Sequence, residues 1–377
     1  MPDDSPIERD EAWMALAIRL AERGLGTTAP NPAVGAVIVD ETTGEVVGRG
    51  WTQPGGRPHA EVEAIARAGA RARGKTIYVT LEPCAHHGKT PPCVDAVLAA
   101  GLTRVVCGIE DPDPRVAGKG LNKLREHGVI VRRAVLRSRA NWVTLGHILK
   151  VTERRPFIQL KIAVDAAGHI AAGTGSAPVW VTGPLARAHG HLLRARADAI
   201  LVGAGTARAD NPSLDCRLPG LASRSPVRVV LTRNLAVPDE ARLMNPGEGA
   251  PVWWYCGSDI LPSRLAEVQT AGGDVTRVRS VSGRLWLPAV MEHLVARGMT
   301  RVLVEGGPAI WRAFDQAGLI DEVMLYHARA EPARAVEERA ALAALRRYVP
   351  SAVLPRIARR GLGTDDVFSF RRRVVAD

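Results

Sequence analysis

One histidine and two cysteines, placed where predicted helices begin, constrain this chain more than any other feature. They lie in the stretch Pro58-His59-Ala60-Glu61 and, past a short run that reads as a strand, Glu82-Pro83-Cys84-Ala85-His86-His87-Gly88-Lys89-Thr90-Pro91-Pro92-Cys93. His and Cys suit a tetrahedral Zn2+, and three protein ligands leave the fourth position for water. The spacing predicts a helix over Ala60 to Ala72 that Gly74 ends, a strand over Thr76 to Leu81, and a helix over Cys93 to Ala100 led in by Pro91-Pro92. His59, Cys84 and Cys93 therefore sit at or before helix starts. Free N–H groups and partial positive charge there stabilise thiolates, and the three side chains can converge on one point.

Glu61 lies two residues after His59. That is too close to make a comfortable further ligand, yet near enough to the water at the open position to take its proton and then protonate a leaving amine. H-x-E followed by a Pro-Cys and a second Cys is the logic of zinc deaminases. A structural zinc site is the competing reading. It would be closed by a fourth ligand, which His86 or His87 could supply, and it would leave Glu61 without a task. Otherwise the two histidines are loop residues near the site, and Glu61 taken alone is a solvated helix carboxylate.

Composition narrows the partners. A chain of 377 residues with 46% hydrophobic content fits two domains better than one. No run of 18 apolar residues predicts a membrane span, and Met1-Pro2-Asp3-Asp4-Ser5 lacks the order of a secretion signal, so the cytoplasm is expected. Five cysteines argue for metal and buried-thiol roles over a disulfide framework, with Cys107, Cys216 and Cys256 as plain thiols. The net charge of +11 admits a nucleic-acid partner, a phosphorylated small molecule or an Arg-rich composition. Aromatics at 4% leave few stacking platforms, which argues against nucleic acid.

Strands alternating with helices make the chain α/β. Glu11 to Arg23 reads as a helix, Ala36 to Val39 and the run around Val46-Val47-Gly48 as a hairpin, and Arg104 to Ile109 as a strand. The first domain closes with Gly128-Val129-Ile130-Val131 and a connecting helix over Asn141 to Lys150. Glu153-Arg154-Arg155-Pro156 reads as the boundary, giving domains 1–150 and 151–377. In the second, strands are expected over Phe157 to Val164, Ala199 to Val202, Val227 to Leu231, Val252 to Cys256, Val302 to Val304 and Val323 to Tyr326. Helices are expected over Pro184 to Arg196, Leu287 to Ala296 and Ala309 to Ala317. No Gly-x-Gly-x-x-Gly follows a strand. Gly203-Ala204-Gly205-Thr206 and Glu305-Gly306-Gly307-Pro308 instead occupy strand ends, where backbone N–H groups can cradle phosphate or simply make turns.

The string from Leu81 to Cys93, with eight residues between the cysteines, and Pro30-Asn31-Pro32-Ala33-Val34-Gly35 upstream resemble the bifunctional riboflavin-biosynthesis deaminase/reductase family. The resemblance spans nearly the whole chain. It implies a cytidine-deaminase-like three-layer sandwich followed by a dihydrofolate-reductase-like α/β domain. It also implies zinc-dependent deamination of a diaminopyrimidinone ribosyl phosphate, then NADPH-dependent reduction of the ribosyl group to ribityl. Carried over, His59, Cys84 and Cys93 hold zinc, Glu61 shuttles the proton, and Asn31 and Lys89 contact substrate. Read without the family, Asn31 is a turn residue between prolines and Lys89 a solvated loop lysine.

In the second half, Trp180, Arg194, Asp210-Asn211-Pro212 and Arg217 carry the likeness. Ala163, Trp180, Thr206, Asp210 and the loop from Gly307 would touch NADPH, and Arg194, Leu214, Arg217 and Glu305 the substrate, with Lys161 adding charge for a ribose phosphate. The plain readings are a core aromatic for Trp180 and solvated charges for the arginines. Thr52 stands where the family commonly has His and Asp113 where it has Asn. Asp165-Ala166-Ala167-Gly168 replaces Ser-Leu-Asp-Gly, and no Pro-Lys-Leu-Leu-Gly-like segment follows Tyr326. Two alternatives stay open: a deaminase with a degraded reductase domain, and a nucleic-acid deaminase. Whether copies form a homo-oligomer is open as well.

Overall fold

The computed structural model describes residues 6–171, 180–244, 249–331, 333–351 and 354–373. The chain divides into two compact units after Arg155.

In the first unit, α1 (Pro6–Ala21) leads to β1 (Gly35–Asp40) and β2 (Glu45–Trp51), followed by α2 (Ala60–Ala68), β3 (Thr76–Leu81), α3 (Cys93–Ala99), β4 (Arg104–Ile109), α4 (Lys119–Glu126), β5 (Ile130–Arg132) and α5 (Arg137–Thr152). The sheet order is β2-β1-β3-β4-β5. The β1–β2 and β1–β3 pairs are antiparallel, and β3, β4 and β5 run parallel. The helix expected over Ala60 to Ala72 splits at Gly69 (φ +56°), beyond which a 3-10 turn completes it.

Glycines show how the layers close. A Cβ on Gly35 would lie 1.9 Å from the Ala17 carbonyl oxygen of α1, and one on Gly50 would lie 2.4 Å from the Ala60 oxygen of α2. Gly50 pairs with Ala36, so it faces away from Gly35 and the two helices cover opposite faces. Gly108 of β4 points at Ala140 of α5 from the same side as Gly35. The result is helix, sheet, helix. Gly35→Ala should drive α1 off the sheet at a cost of about 3 kcal/mol. Urea unfolding of the first unit should then show an earlier midpoint at unchanged slope, and an unmoved midpoint would contradict the close packing.

The second unit begins with β6 (Phe157–Val164), α6 (Pro184–Ala195), β7 (Ala199–Gly203), α7 (Ala204–Asp210), β8 (Val227–Leu231), β9 (Val252–Gly257), α8 (Pro262–Thr270) and β10 (Asp274–Val278). A small hairpin of β11 (Ser280–Val281) and β12 (Arg284–Leu285) precedes α9 (Leu287–Ala296), β13 (Arg301–Val304), α10 (Pro308–Gln316), β14 (Glu322–Ala328), α11 (Glu338–Tyr348), β15 (Arg356–Leu362) and β16 (Asp365–Arg371). The sheet order is β10-β9-β8-β7-β13-β6-β14-β16-β15. It is parallel through β14, and β16 joins it antiparallel.

Both faces are buried. Along β6, Ile158, Leu160, Ile162 and Val164 enter one apolar cluster, while Ala163 packs against the other. Such near-continuous Val/Ile/Leu strands belong to sheets covered on both sides. The chain runs from β6 past the β13 position to β7 and outward, then returns to insert β13 between them. The carboxyl ends of these three strands thus flank a point of topological reversal, the usual place for a ligand crevice.

The Arg- and Ala-rich tail folds as α11, β15 and β16. Its charges are matched: Arg371 Nε donates to Glu322 Oε1 at 2.7 Å, Arg372 Nη1 lies 3.1 Å from Asp321 Oδ1, and Arg329 Nη2 lies 2.9 Å from Asp366 Oδ1. Those carboxylates are buried, so the basic residues offset charges that the sheet edge would otherwise bury alone. The Asp165-Ala166-Ala167-Gly168 segment makes a tight turn in which Asp165 Oδ1 accepts from the backbone N–H groups of Ala167 and His169.

Candidate functional site

The first unit gathers its chemistry at the carboxyl end of β3 and β4. His59 is the N-cap of α2 in an extended conformation, and Cys93 is the first residue of α3, after Pro92. Cys84 lies just past β3. The ligand atoms of His59, Cys84 and Cys93 all fall within 4.8 Å of one another. His59 Nδ1 is 3.2 Å from Cys93 Sγ and 3.7 Å from Cys84 Sγ, and the Cys93 backbone N–H donates to Cys84 Sγ at 3.3 Å. Contact with the Cys93 thiol brings the Cys84 thiol down to about 4, against the opposing effect of burial, with His59 adding to the fall. The hydrogen bond to Cys84 and burial push the Cys93 thiol up, while the bond to Cys84 raises His59. The pair thus favours a thiolate at this point, and binding a cation draws the remaining proton from the thiols. A one-His, two-Cys donor set at this separation fits Zn2+ with an open position.

Glu61 is buried, 3% exposed, and its carboxyl lies near enough to His59, Cys84 and Cys93 for each to act on its charge, so it faces the ligand cluster. Burial pushes it up to about 7, with the His59 charge holding it back. This is not the solvated surface carboxylate that its helix position alone would suggest. His86 is half-buried in the loop and His87 exposed, and neither belongs to the ligand cluster.

A supporting residue escaped the sequence reading. The buried Glu82 carboxylate, two residues before Cys84, accepts from the backbone N–H groups of Asp111 (3.2 Å), Gly118 (2.9 Å), Gly120 (2.9 Å) and Leu121 (3.2 Å). A Cβ on Gly120 would come within 2.2 Å of the Pro83 carbonyl oxygen, so α4 presses directly on the segment carrying Cys84. The available signal was an acidic residue closing an otherwise apolar strand.

Asn31 Nδ2 donates to the Gly56 carbonyl at 2.8 Å, while Lys89 is exposed on the Cys84–Cys93 loop. Thr52 is buried and its Oγ1 accepts from the Val34 N–H, a structural task. Asp113 accepts from both Nε and Nη2 of Arg115 and caps its backbone N–H.

In the second unit, the two glycine loops predicted separately lie side by side, because β7 and β13 are neighbours. A Cβ on Gly306, at φ +140°, would sit 3.1 Å from Thr206 Oγ1, so only glycine suits that approach. Gly307 caps α10, and Ala163 lies near the carboxyl end of β6. Arg194 on α6 grips Glu305 with both Nε and Nη2 at 2.9 Å, while its Nη1 donates to the Asp215 carbonyl at 2.9 Å. Burial raises the Glu305 carboxyl, but the charges of Arg194 and Lys161 outweigh it and hold the group down at about 2.

Arg217 is exposed, with Nε 3.6 Å from Asp215 Oδ1, and Leu214 is buried at φ +56°. Asp210 ends α7 and is exposed. Trp180 is 62% exposed with Arg187 over its ring, which excludes the core-aromatic reading. The geometry therefore joins Thr206 to Gly306 and Arg194 to Glu305.

The chain matches the cytidine and deoxycytidylate deaminase zinc-binding region family over residues 7–109 and the RibD C-terminal domain family over residues 156–329. It is 41% identical over 321 residues to the riboflavin biosynthesis protein RibD of Bacillus amyloliquefaciens, covering 85% of this chain and 84% of that one. It is 39% identical over 333 residues to RibD of Escherichia coli strain K12, covering 84% and 87%. Among solved structures, Acinetobacter baumannii RibD superposes with a TM-score of 0.79 at 31% identity, covering 97% of this chain and 99% of the other. The diaminohydroxyphosphoribosylaminopyrimidine deaminase/5-amino-6-(5-phosphoribosylamino)uracil reductase from Thermotoga maritima gives 0.78 at 32%, with the same coverage.

Proposed function

This chain belongs to the bifunctional riboflavin-biosynthesis deaminase/reductase family, RibD, and from that premise we propose which of its residues carry each reaction. The enzyme uses Zn2+ to deaminate a diaminopyrimidinone ribosyl phosphate hydrolytically, and NADPH to reduce the ribosyl group to ribityl. We assign the first reaction to residues 1–150 and the second to residues 151–377.

His59, Cys84 and Cys93 would hold the zinc. When bound, zinc supplies the Lewis acidity that makes water a nucleophile at neutral pH. Glu61 accepts the proton from that water at its buried carboxyl and delivers it to the leaving amine, which departs as ammonia. Its position against the ligand cluster is the observation that carries this reading. Asn31, with its amide nitrogen anchored on Gly56, keeps its oxygen for the substrate, and Lys89 lies at the rim.

In the reductase half, NADPH supplies a hydride. Ala163, Trp180, Thr206, Asp210 and Gly307 would seat it, with the adjoining Gly306 loop letting the backbone approach closely. Arg194, Leu214, Arg217 and Glu305 would orient the ribosyl phosphate so that hydride reaches C1′, the ring C–O bond opens and the ring oxygen takes a proton. A cytoplasmic location is part of the proposal. The cysteines are free, and a zinc site built on two thiols needs a reducing compartment. Among the described residues, no helix is long and apolar enough to cross a membrane.

Incubating the purified protein with the diaminopyrimidinone substrate, and following ammonia release and NADPH oxidation separately, tests the whole reading. One equivalent of each is expected, and omitting NADPH should leave ammonia release complete. Ammonia release with no consumption of supplied NADPH would refute the reductase assignment.

A further inference from the structure

We propose that Arg57 recognises the phosphate of the deaminase substrate at the mouth of the zinc site, an inference that rests on the deaminase reading above. Arg57 comes two residues before His59, and its Nη1 donates to Thr90 Oγ1, three residues before Cys93. The guanidinium therefore spans the two arms of chain that carry the ligands. It is half-buried, and its Nη2 is 3.6 Å from where a Cβ on Gly88 would stand, so the missing side chain leaves that edge of the fork open. Lys89 follows on the same loop, exposed.

Charge makes the arrangement informative. Several other half-buried arginines of this chain meet carboxylates: Arg104 and Arg132 meet Asp10, Arg194 meets Glu305, and Arg329 meets Asp366. Arg57 and Lys89 meet none among the described residues, although Arg57 stands close enough to His59 to oppose its protonation. Two uncompensated cations beside a site that binds a divalent cation repel their surroundings until an anion arrives. The substrate brings one. With the pyrimidine ring turned toward Glu61, the ribosyl arm leads outward and carries its phosphate to the rim. Thr90 occupies one N–H of the guanidinium and fixes its plane, leaving the other N–H groups to meet two phosphate oxygens side by side.

The test compares deamination of the phosphorylated substrate and its dephosphorylated counterpart by Arg57→Ala and Thr90→Val, with zinc content measured on each protein. Arg57→Ala should lower the preference for the phosphorylated substrate about 10- to 100-fold, the range of a charge-assisted hydrogen-bond pair, while retaining its zinc. Thr90→Val, which removes the acceptor but keeps the charge, should retain most of the preference. The proposal is overturned if Arg57→Ala depresses both substrates by the same factor, if it loses zinc, or if Thr90→Val abolishes the preference equally, since Arg57 would then only clasp the two arms. Absence of ammonia release by the wild-type protein would instead refute the deaminase reading, so the two failures are distinguishable.

Discussion

Glu61→Gln should lower ammonia release by about 10²- to 10⁴-fold while zinc content and NADPH-dependent reduction of the already deaminated substrate stay at wild-type levels. The glutamine amide has nearly the shape of the carboxyl but can neither accept the water's proton nor return it to the leaving amine. Residue 61 is buried on the first turn of α2 among well-packed alanines, so the isosteric change leaves the helix and its N-cap, His59, in place. Retention of zinc is what separates this outcome from a damaged metal site. If the zinc-loaded variant released ammonia at the wild-type rate, Glu61 would not be the proton carrier and a non-catalytic zinc module would again be tenable.

The first unit was legible because its signals are local. His59 and Cys93 each sit at a helix start that Pro announces, Cys84 follows the end of an apolar strand, and the strand from Arg104 to Ile109 appears at its expected bounds. The same holds for Phe157 to Val164, Val227 to Leu231 and Leu287 to Ala296, all apolar runs whose neighbours terminate them. What escaped depends on distant partners. Helix α4 carries Gly120 near its start and little apolar pattern, and its first turn is held by the carboxylate of Glu82. Strands β15 and β16 look like a basic tail until Asp321 and Glu322 are seen to lie buried against it and Asp366 within it. In the reductase half, no spacing rule announces that residues 206 and 306 will touch, because adjacency of β7 and β13 is a property of the sheet order.

The Arg194–Glu305 pair should give the largest stability effect in that half. Glu305 is largely buried and its carboxyl is held down at about 2, well below its usual 4.5, because Arg194 and Lys161 outweigh the cost of burial. The folded state therefore favours the ionised form. The contribution, about 3 kcal/mol, is fully present above pH 4.5 and drains away as pH falls from there toward 2. Arg194→Ala strands the carboxylate and should cost about 3–5 kcal/mol at neutral pH. The sign of the pH dependence should also reverse. With its partner gone, burial raises Glu305, so the variant should gain stability relative to wild type as pH drops through the region where the carboxyl takes a proton. Urea midpoints of the second unit, followed from pH 7 down to about pH 2, measure both effects.

A double variant, Arg194→Met with Glu305→Leu, separates structure from chemistry. Removing both charges together should recover most of the lost stability, since apolar pairs of similar size commonly replace buried ion pairs without loss. Reduction should not recover, because the proposed substrate contacts would be gone, and NADPH oxidation should stay more than about 10-fold below wild type, the least that a lost charge-assisted contact to substrate produces. A stable double variant that reduced the deaminated substrate normally would relegate the pair to scaffolding and move ribosyl recognition to Arg217 and Lys161.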